Sequence, residues 1–209
     1  MKDNSTVFVV DDDAAIRESL RWVMESAGMQ VQVFGSAREF LAAYDPSRPD
    51  CLVLDVRMPG QSGLSLQQDL VKRDVTLPIL FISAHGTVPD AVRAMKRGAV
   101  DFLMKPFNNE DLLERVAHCL ELGRQACTEA ARRGVVAQRL ALLTPRECEV
   151  MEHVVDGKSS KEIAKALKVS AKTVDVHRAQ IMRKMRARST PDLLRAVLLH
   201  SPPKKNQTR

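Results

Sequence analysis

Residues 51–63 read CLVLDVRMPGQSG. Four apolar residues run into a single carboxylate, Asp55, and a Pro59-Gly60 turn follows. A short apolar run closed by turn residues reads as a buried strand, here with Asp55 at its carboxyl end. Similar runs stand at 6–11 (TVFVVD), 30–34 (QVQVF), 78–83 (PILFIS) and 100–104 (VDFLM). Helical patterns separate them. Ile16, Leu20, Val23 and Ala27 recur at helical spacing over 14–27, and further helices are predicted over 36–44, 62–73, 88–97 and 109–122. Strands alternating with helices predict a doubly wound α/β fold, a parallel sheet covered on both faces. Sites in such sheets form beyond the carboxyl ends of the strands.

The strand-end residues are therefore the candidates. Asp11, Asp12 and Asp13 follow the first strand, Asp55 ends the third, Ser83 ends the fourth and Lys105 follows the fifth. If the first and third strands are neighbours, Asp11, Asp12 and Asp55 converge. Clustered carboxylates take up protons or recruit a cation. An oxygen-only, incomplete shell suits Mg²⁺ or Mn²⁺. Lys105 adds a second positive charge and Ser83 a hydroxyl, a set that can hold a phosphoryl group on Asp55. Each residue also has an ordinary reading. An Asp run before a helix is a cap, a strand-end Asp is turn chemistry, and Lys105 is a surface lysine. The functional reading rests on all of them standing at strand ends in this order.

Charge divides the chain. Residues 1–123 carry 13 Lys and Arg against 18 Asp and Glu, whereas residues 124–209 carry 19 against 8. The basic second part suits a polyanion such as nucleic acid, with a plain solvated basic surface as the alternative. No run of about 18 apolar residues offers a membrane span. No charged-then-apolar leader opens the chain, and the four cysteines lack CxxC spacing. A reducing cytoplasm without disulfide or zinc is the expectation.

Gly123 and Gly134 bracket an Ala- and Arg-rich stretch, so residues 123–141 are expected to be a partly helical linker. Beyond it the pattern is all helical. Thr144-Pro145-Arg146-Glu147 and Ser159-Ser160-Lys161-Glu162 fit capping boxes, Ser170 can cap a helix to about Met185, and Thr190-Pro191 opens a last one. Ile163, Ala164 and Leu167, then Val174, Ile181 and Met185, form inward stripes. Lys172, Val176, Ala179 and Arg183 lie roughly opposite, with Asp175 beside them. Such a face suits a DNA major groove, or is simply solvated. Residues 201–209 (SPPKKNQTR) read as a basic, disordered tail.

Two resemblances follow. VVDDD at 9–13, LVLDVRMPGQSG, ISAHG at 82–86 and KPF at 105–107 resemble the receiver domains of two-component response regulators, over residues 6–122. This implies a flavodoxin-like sheet of strand order 2-1-3-4-5, with Asp55 as phosphoacceptor. Asp12 would bind Mg²⁺ directly, Asp11 through water, and Arg57 through its carbonyl, with Asp13 as a cap. Ser83 and Phe102 would be the switch pair, Arg57 and His85 would tune phosphoryl lifetime, and the Lys105–Pro106 peptide would be cis.

LTPRECEVM, VVDGKSSKEIAKAL, SAKTVDVHRAQIMRKM and RARSTPDLLRAV resemble the four-helix LuxR/NarL-type DNA-binding domain, over about 142–200. The pairing is similar to the FixJ-like subgroup. It implies Asp175, Val176 and Ala179 facing bases, and Lys172, Thr173, Arg178 and Arg183 contacting phosphates or base edges. His177 is expected to be a half-buried spacer. The final helix, with Leu194, Val197 and Leu198, would contribute to dimerisation. The implied partners are a sensor histidine kinase, double-stranded promoter DNA, RNA polymerase and a second copy of the chain. The implied function is a transcription regulator, not an enzyme, that assists its own Mg²⁺-dependent phosphorylation and dephosphorylation. Two other readings fit less well. An aspartyl-phosphate hydrolase of the haloacid-dehalogenase type carries its nucleophile on the first strand and leaves the basic half unexplained. A phosphorylation-independent regulator with a vestigial receiver ordinarily lacks a pocket residue, whereas Asp11, Asp12, Asp55, Ser83 and Lys105 all stand here.

Overall fold

The computed structural model describes residues 5–45, 48 and 50–200; the basic tail expected at 201–209 lies outside them. The first part alternates β1 (Thr6–Val10), α1 (Ala14–Ser26), β2 (Gln30–Phe34), α2 (Ala37–Ala43), β3 (Cys51–Asp55), α3 (Gly63–Lys72), β4 (Ile79–Ser83), α4 (Val88–Lys96), β5 (Asp101–Met104) and α5 (Asn109–Leu140). The five strands are all parallel, in the order β2-β1-β3-β4-β5. Side chains alternate across the sheet with a period of two. Phe8, Val10, Leu52, Leu54 and Phe81 face a core shared with Phe40, Leu66, Leu70 and Ala94 of α2, α3 and α4. Val7, Val9, Cys51, Val53, Leu80 and Ile82 face the opposite core, with Leu20 and Met24 of α1 and Leu112, Val116 and Cys119 of α5. Burial on both faces explains the continuous apolar strands.

Register then positions the strand ends. Val10 pairs with Leu54, so Asp11 and Asp55 emerge one step further on, side by side. Asp55 pairs with Ile82 and Ser83 with Met104, which brings Ser83 and Lys105 to the same edge.

The second part comprises α6 (Pro145–Val155), α7 (Ser160–Leu167), α8 (Ala171–Met185) and α9 (Thr190–His200). Thr144 and Ser159 close capping boxes with Glu147 and Glu162, and Ser170 caps α8. Each cap satisfies amides that the first helical turn leaves unpaired. Val150, Val154, Ile163, Val174, Ile181, Met185 and Leu193 form the core, joined by Val136 and Leu143 from the chain before α6.

The chain divides into two compact units at Thr128/Glu129, inside α5. Residues 123–140 are helical throughout rather than in part, because neither glycine ends the helix. Gly123 is buried, and a Cβ there would lie 2.5 Å from the Asp50 carbonyl oxygen; the missing side chain admits the neighbouring backbone. Gly134 is exposed and meets nothing. Gly134→Ala is therefore expected to raise stability by about 1 kcal/mol, through the lower entropy of the unfolded chain. Gly123→Ala is expected to lower it by about 1–3 kcal/mol through overpacking. Calorimetry of the two variants checks both signs.

Candidate functional site

Lys105 joins the two buried carboxylates. Its Nζ donates to Asp11 Oδ2 at 2.7 Å and to Asp55 Oδ1 at 3.1 Å. Asp11 is 1% exposed and Asp55 7%. The other Asp55 oxygen accepts the Arg57 N–H at 2.7 Å. Burial pushes the Asp55 carboxyl above its usual value, against the opposing pull of the Arg57 N–H and Lys105, while the nearby Asp11 charge adds to the rise. Burial disfavours the Lys105 ammonium, but its bonds and attraction to Asp11 and Asp55 outweigh this and hold its pKa above the usual value. The ammonium is thus charged at neutral pH.

The loop after β1 is fixed on two sides. Asp11 Oδ1 accepts the Asp13 N–H at 2.9 Å, and the Asp11 carbonyl accepts from Arg17 Nη1 at 2.7 Å. Asp13 caps α1 by accepting from the Ala15 and Ile16 amides, as read from the sequence. Asp12 is exposed. Among the described residues no three His, Cys, Asp or Glu side chains gather closely enough to hold a metal. Of the three carboxylates expected to converge, two are joined through Lys105. Asp11 and Asp55 meet, Asp12 stays on the solvent side, and the Lys105 ammonium supplies the neutralising charge between the buried pair.

Ser83 is buried at the end of β4; its Oγ accepts the His85 N–H at 3.3 Å and its carbonyl the Lys105 N–H at 2.8 Å. The Lys105–Pro106 peptide is cis. Phe102 is half-buried and stacks on Phe81, with ring centroids 6.1 Å apart. Arg57 and His85 are both exposed.

Three residues of this site carried no functional reading in the sequence. A Cβ on Gly86 would lie 2.6 Å from Phe102 Cζ and 3.2 Å from Ser83 Cβ, so Gly86 makes room for the Phe102 ring. A Cβ on Gly63 would lie 2.1 Å from the Asp55 carbonyl oxygen, so α3 starts against the end of the strand that carries Asp55. Arg17 is the third, through its bond to the Asp11 carbonyl. The glycines had a signal, since each closes a motif after a strand end; Arg17 had none.

In the second unit α7 and α8 form the helix-turn-helix, with Lys168 in the left-handed region at the turn. On α8, Lys172, Thr173, Asp175, Val176, Ala179 and Arg183 are exposed, while Arg178 and His177 are half-buried. The Thr173 amide donates to Ser170 Oγ at 3.0 Å, and the two hydroxyls lie 2.8 Å apart, so Thr173 is part of the cap. Arg183 donates to Gln180 Oε1 at 2.7 Å. An ion pair that the sequence did not disclose fastens the helix. Lys184 Nζ lies 2.6 Å from Glu147 Oε2 and 3.0 Å from the Leu142 carbonyl oxygen. The Lys184 hydrogen bond first, then the Thr144 amide, hold the Glu147 carboxyl down at about 2.

Comparison with known proteins agrees with this geometry. Residues 7–117 match the response regulator receiver domain and residues 141–197 match the bacterial regulatory proteins of the luxR family. The chain is 46% identical over 194 residues to the transcriptional regulatory protein TdiR of Thauera aromatica, covering 93% of this chain and 86% of TdiR. It is 43% identical over 199 residues to the transcriptional regulatory protein FixJ of Azorhizobium caulinodans, covering 95% and 94%. The solved structure of the response regulator StyR superposes with a TM-score of 0.81 at 42% identity, over 93% of this chain and 98% of that one. The chain belongs to the two-component response regulators of the LuxR/NarL family, in the FixJ-like group. Members of this family are transcription regulators rather than enzymes. Its receiver implies a sensor kinase as partner and its luxR-type domain implies DNA. No helix among the described residues is long and apolar enough to cross a membrane.

The depressed Glu147 pKa makes a pH prediction. A carboxyl lowered from 4.5 to about 2 contributes stability that is complete above 4.5 and is lost as pH falls through about 2. Glu147→Gln is expected to flatten the acid loss of stability of the second unit across that window. Equal acid slopes in the two proteins, followed by circular dichroism, would remove the pair from the account.

Proposed function

We propose that a sensor histidine kinase phosphorylates Asp55, and that this controls dimerisation and sequence-specific binding to promoter DNA. The observation that carries the reading is the Lys105 ammonium shared between buried Asp11 and Asp55. In this reading the receiver occupies residues 1–122, residues 123–141 join it to the DNA-binding domain at 142–200, and the protein works in the cytoplasm.

An Asp55 carboxylate oxygen attacks the phosphorus of a phosphohistidine; the O–P bond forms as the P–N bond breaks. The oxygens of Asp11, Asp55 and the Arg57 carbonyl, joined by exposed Asp12 once its side chain turns inward, would hold Mg²⁺ or Mn²⁺, and the ion would neutralise charge on the phosphoryl oxygens. Lys105 Nζ, already on Asp55 Oδ1, moves to a phosphoryl oxygen and keeps its second bond to Asp11. The Ser83 hydroxyl turns to donate to another phosphoryl oxygen and gives up its bond from the His85 amide. Phe102, whose ring rests against Gly86, then follows inward. Exposed Arg57 and His85 govern the approach of the water that later hydrolyses the acyl phosphate, so the protein assists both directions of its own modification.

The face changed by this movement carries exposed Val88, Val92, Met95 and Met104 on α4 and β5, an apolar patch suited to a second copy. Dimerisation pairs two DNA-binding domains on two half-sites. Lys172, Thr173, Arg178 and Arg183 meet phosphates or base edges, while Asp175, Val176 and Ala179 face bases. Asp175 can accept from a cytosine amino group. The DNA-bound dimer then acts on RNA polymerase. The relatives named as transcriptional regulatory proteins support this reading.

The test is DNA binding by fluorescence anisotropy, with and without a small phosphodonor plus Mg²⁺, in wild type and Asp55→Ala. Phosphodonor is expected to tighten wild-type binding about tenfold, or ~1.4 kcal/mol, and to leave Asp55→Ala unchanged. Equal binding in all four conditions would sink the switch and favour a phosphorylation-independent regulator with a vestigial receiver.

A further inference from the structure

The recognition helix α8 is anchored at its end by a residue that precedes the four-helix domain. Arg139, half-buried in the last turn of α5, donates from Nη1 to the Met185 carbonyl at 3.1 Å. Met185 is the last residue of α8, and Arg186 after it turns into the left-handed region at φ 53°. The final carbonyls of a helix have no partner within it, and a cationic donor there also meets the favourable end of the helix dipole. The same corner is tied in the other direction by the Lys184 bond to the Leu142 carbonyl. Beneath it Val136 is buried, and Leu140 packs on the core. The last turns of α5 are therefore built into the unit that carries α8.

We infer that Arg139 is a positioning residue for DNA recognition: it sets the tilt of α8 and so controls base discrimination without touching DNA. This deepens the DNA-binding reading above and rests on it. The leverage is geometric. Lys172 stands about 20 Å from Met185 along the helix axis, at 1.5 Å per residue. A tilt of about 5° at the anchored end displaces the reading end by about 2 Å, more than hydrogen bonds to base edges tolerate. Contacts to phosphates by long, flexible Lys and Arg side chains absorb such a shift. Loss of the anchor therefore removes discrimination and spares electrostatic binding.

The experiment uses the full chain with phosphodonor and Mg²⁺. The probes are a duplex selected by the wild-type protein from a random-sequence pool and a scrambled duplex of the same composition. Arg139→Met keeps the stem and loses the donors; Arg139→Lys restores a donor; Val136→Ala loosens the packing beneath and leaves the bond. Arg139→Met is expected to lose about tenfold in affinity for the selected duplex and none for the scrambled one, with the salt slope unchanged. Arg139→Lys is expected to recover most of the loss, and Val136→Ala to lower the thermal midpoint while discrimination stays. A joint fall on both duplexes, with the salt slope shallower by about one, would make Arg139 a phosphate contact and overturn the inference. So would unchanged discrimination in Arg139→Met, or an equal loss in Val136→Ala. A wild-type protein that selects no duplex sinks the DNA-binding reading itself, a result distinct from all of these.

Discussion

Two carboxylates emerging side by side from neighbouring buried strands cannot both stay ionised unless a cation is supplied. In this protein the chain supplies one. Lys105 reaches from β5 across the β4 edge to hold Asp11 and Asp55 together, and most features of the first unit serve that meeting. The strand order sets β1 beside β3, so that a single step of register aligns the two acids. The Lys105 amide bonds to the Ser83 carbonyl and fixes the loop from which the side chain departs. The Arg57 amide holds the second Asp55 oxygen, so on the proposed reading the carboxylate is oriented before any phosphoryl group arrives. Such preorganisation lowers the reorganisation a transfer step needs.

On the proposed reading the second unit solves a different problem, presenting one helix rigidly enough to read bases. Its core covers one side of α8 through Val174, Ile181 and Met185 and leaves the other side to solvent. The ties at the far end of α8 are polar: Glu147 to Lys184, Lys184 to the Leu142 carbonyl, Arg139 to the Met185 carbonyl. Side-chain packing sets the crossing angle of α8 on its core, and the directional bonds at one end add to that hold. The exposed Val176 fits the proposed reading, in which an apolar residue left in water would contact thymine methyls.

The sheet was legible because buried parallel strands have a composition of their own. The runs at 30–34 and 51–55 matched the strands residue for residue, and the other three differed by one residue at an end. The strand-end residues were legible for the same reason: where a run stops, the site begins. Asp11 and Asp12 are adjacent in sequence but differently placed, since successive residues at a strand end point apart: Asp11 is buried and bonded to Lys105, whereas Asp12 is exposed. The helicity of 123–140 was under-read because a glycine in sequence does not reveal whether it ends a helix or admits a neighbour, and at Gly123 that neighbour is Asp50, far away in sequence. Long-range polar ties were invisible for a like reason. Glu147 announces itself as a capping residue, and nothing local to it names Lys184 as its partner.

On the proposed reading the switch is small in energy, and the geometry shows why it can be. The resting position of Ser83 is kept by one bond at 3.3 Å, near the limit of a useful hydrogen bond, and Phe102 is only half-buried in its resting place. α4, which follows the Ser83 loop, buries one residue, Ala94, and leaves Val88, Val92 and Met95 in water. Its polar ties run to the neighbouring helix α3, the Gln67 amide on the Ala94 carbonyl and the Arg97 guanidinium on the Leu64 carbonyl, both at its carboxyl end. In this reading α4, fixed at one end and lightly packed at the other, exchanges between two arrangements. A phosphoryl group that binds Ser83 and Lys105 in only one of them need favour it by a few kcal/mol to exchange their populations. The strongly held part of the site, Lys105 on two acids, thus stays in place while the weakly held part moves, and that contrast lets one covalent change be read at a distant face.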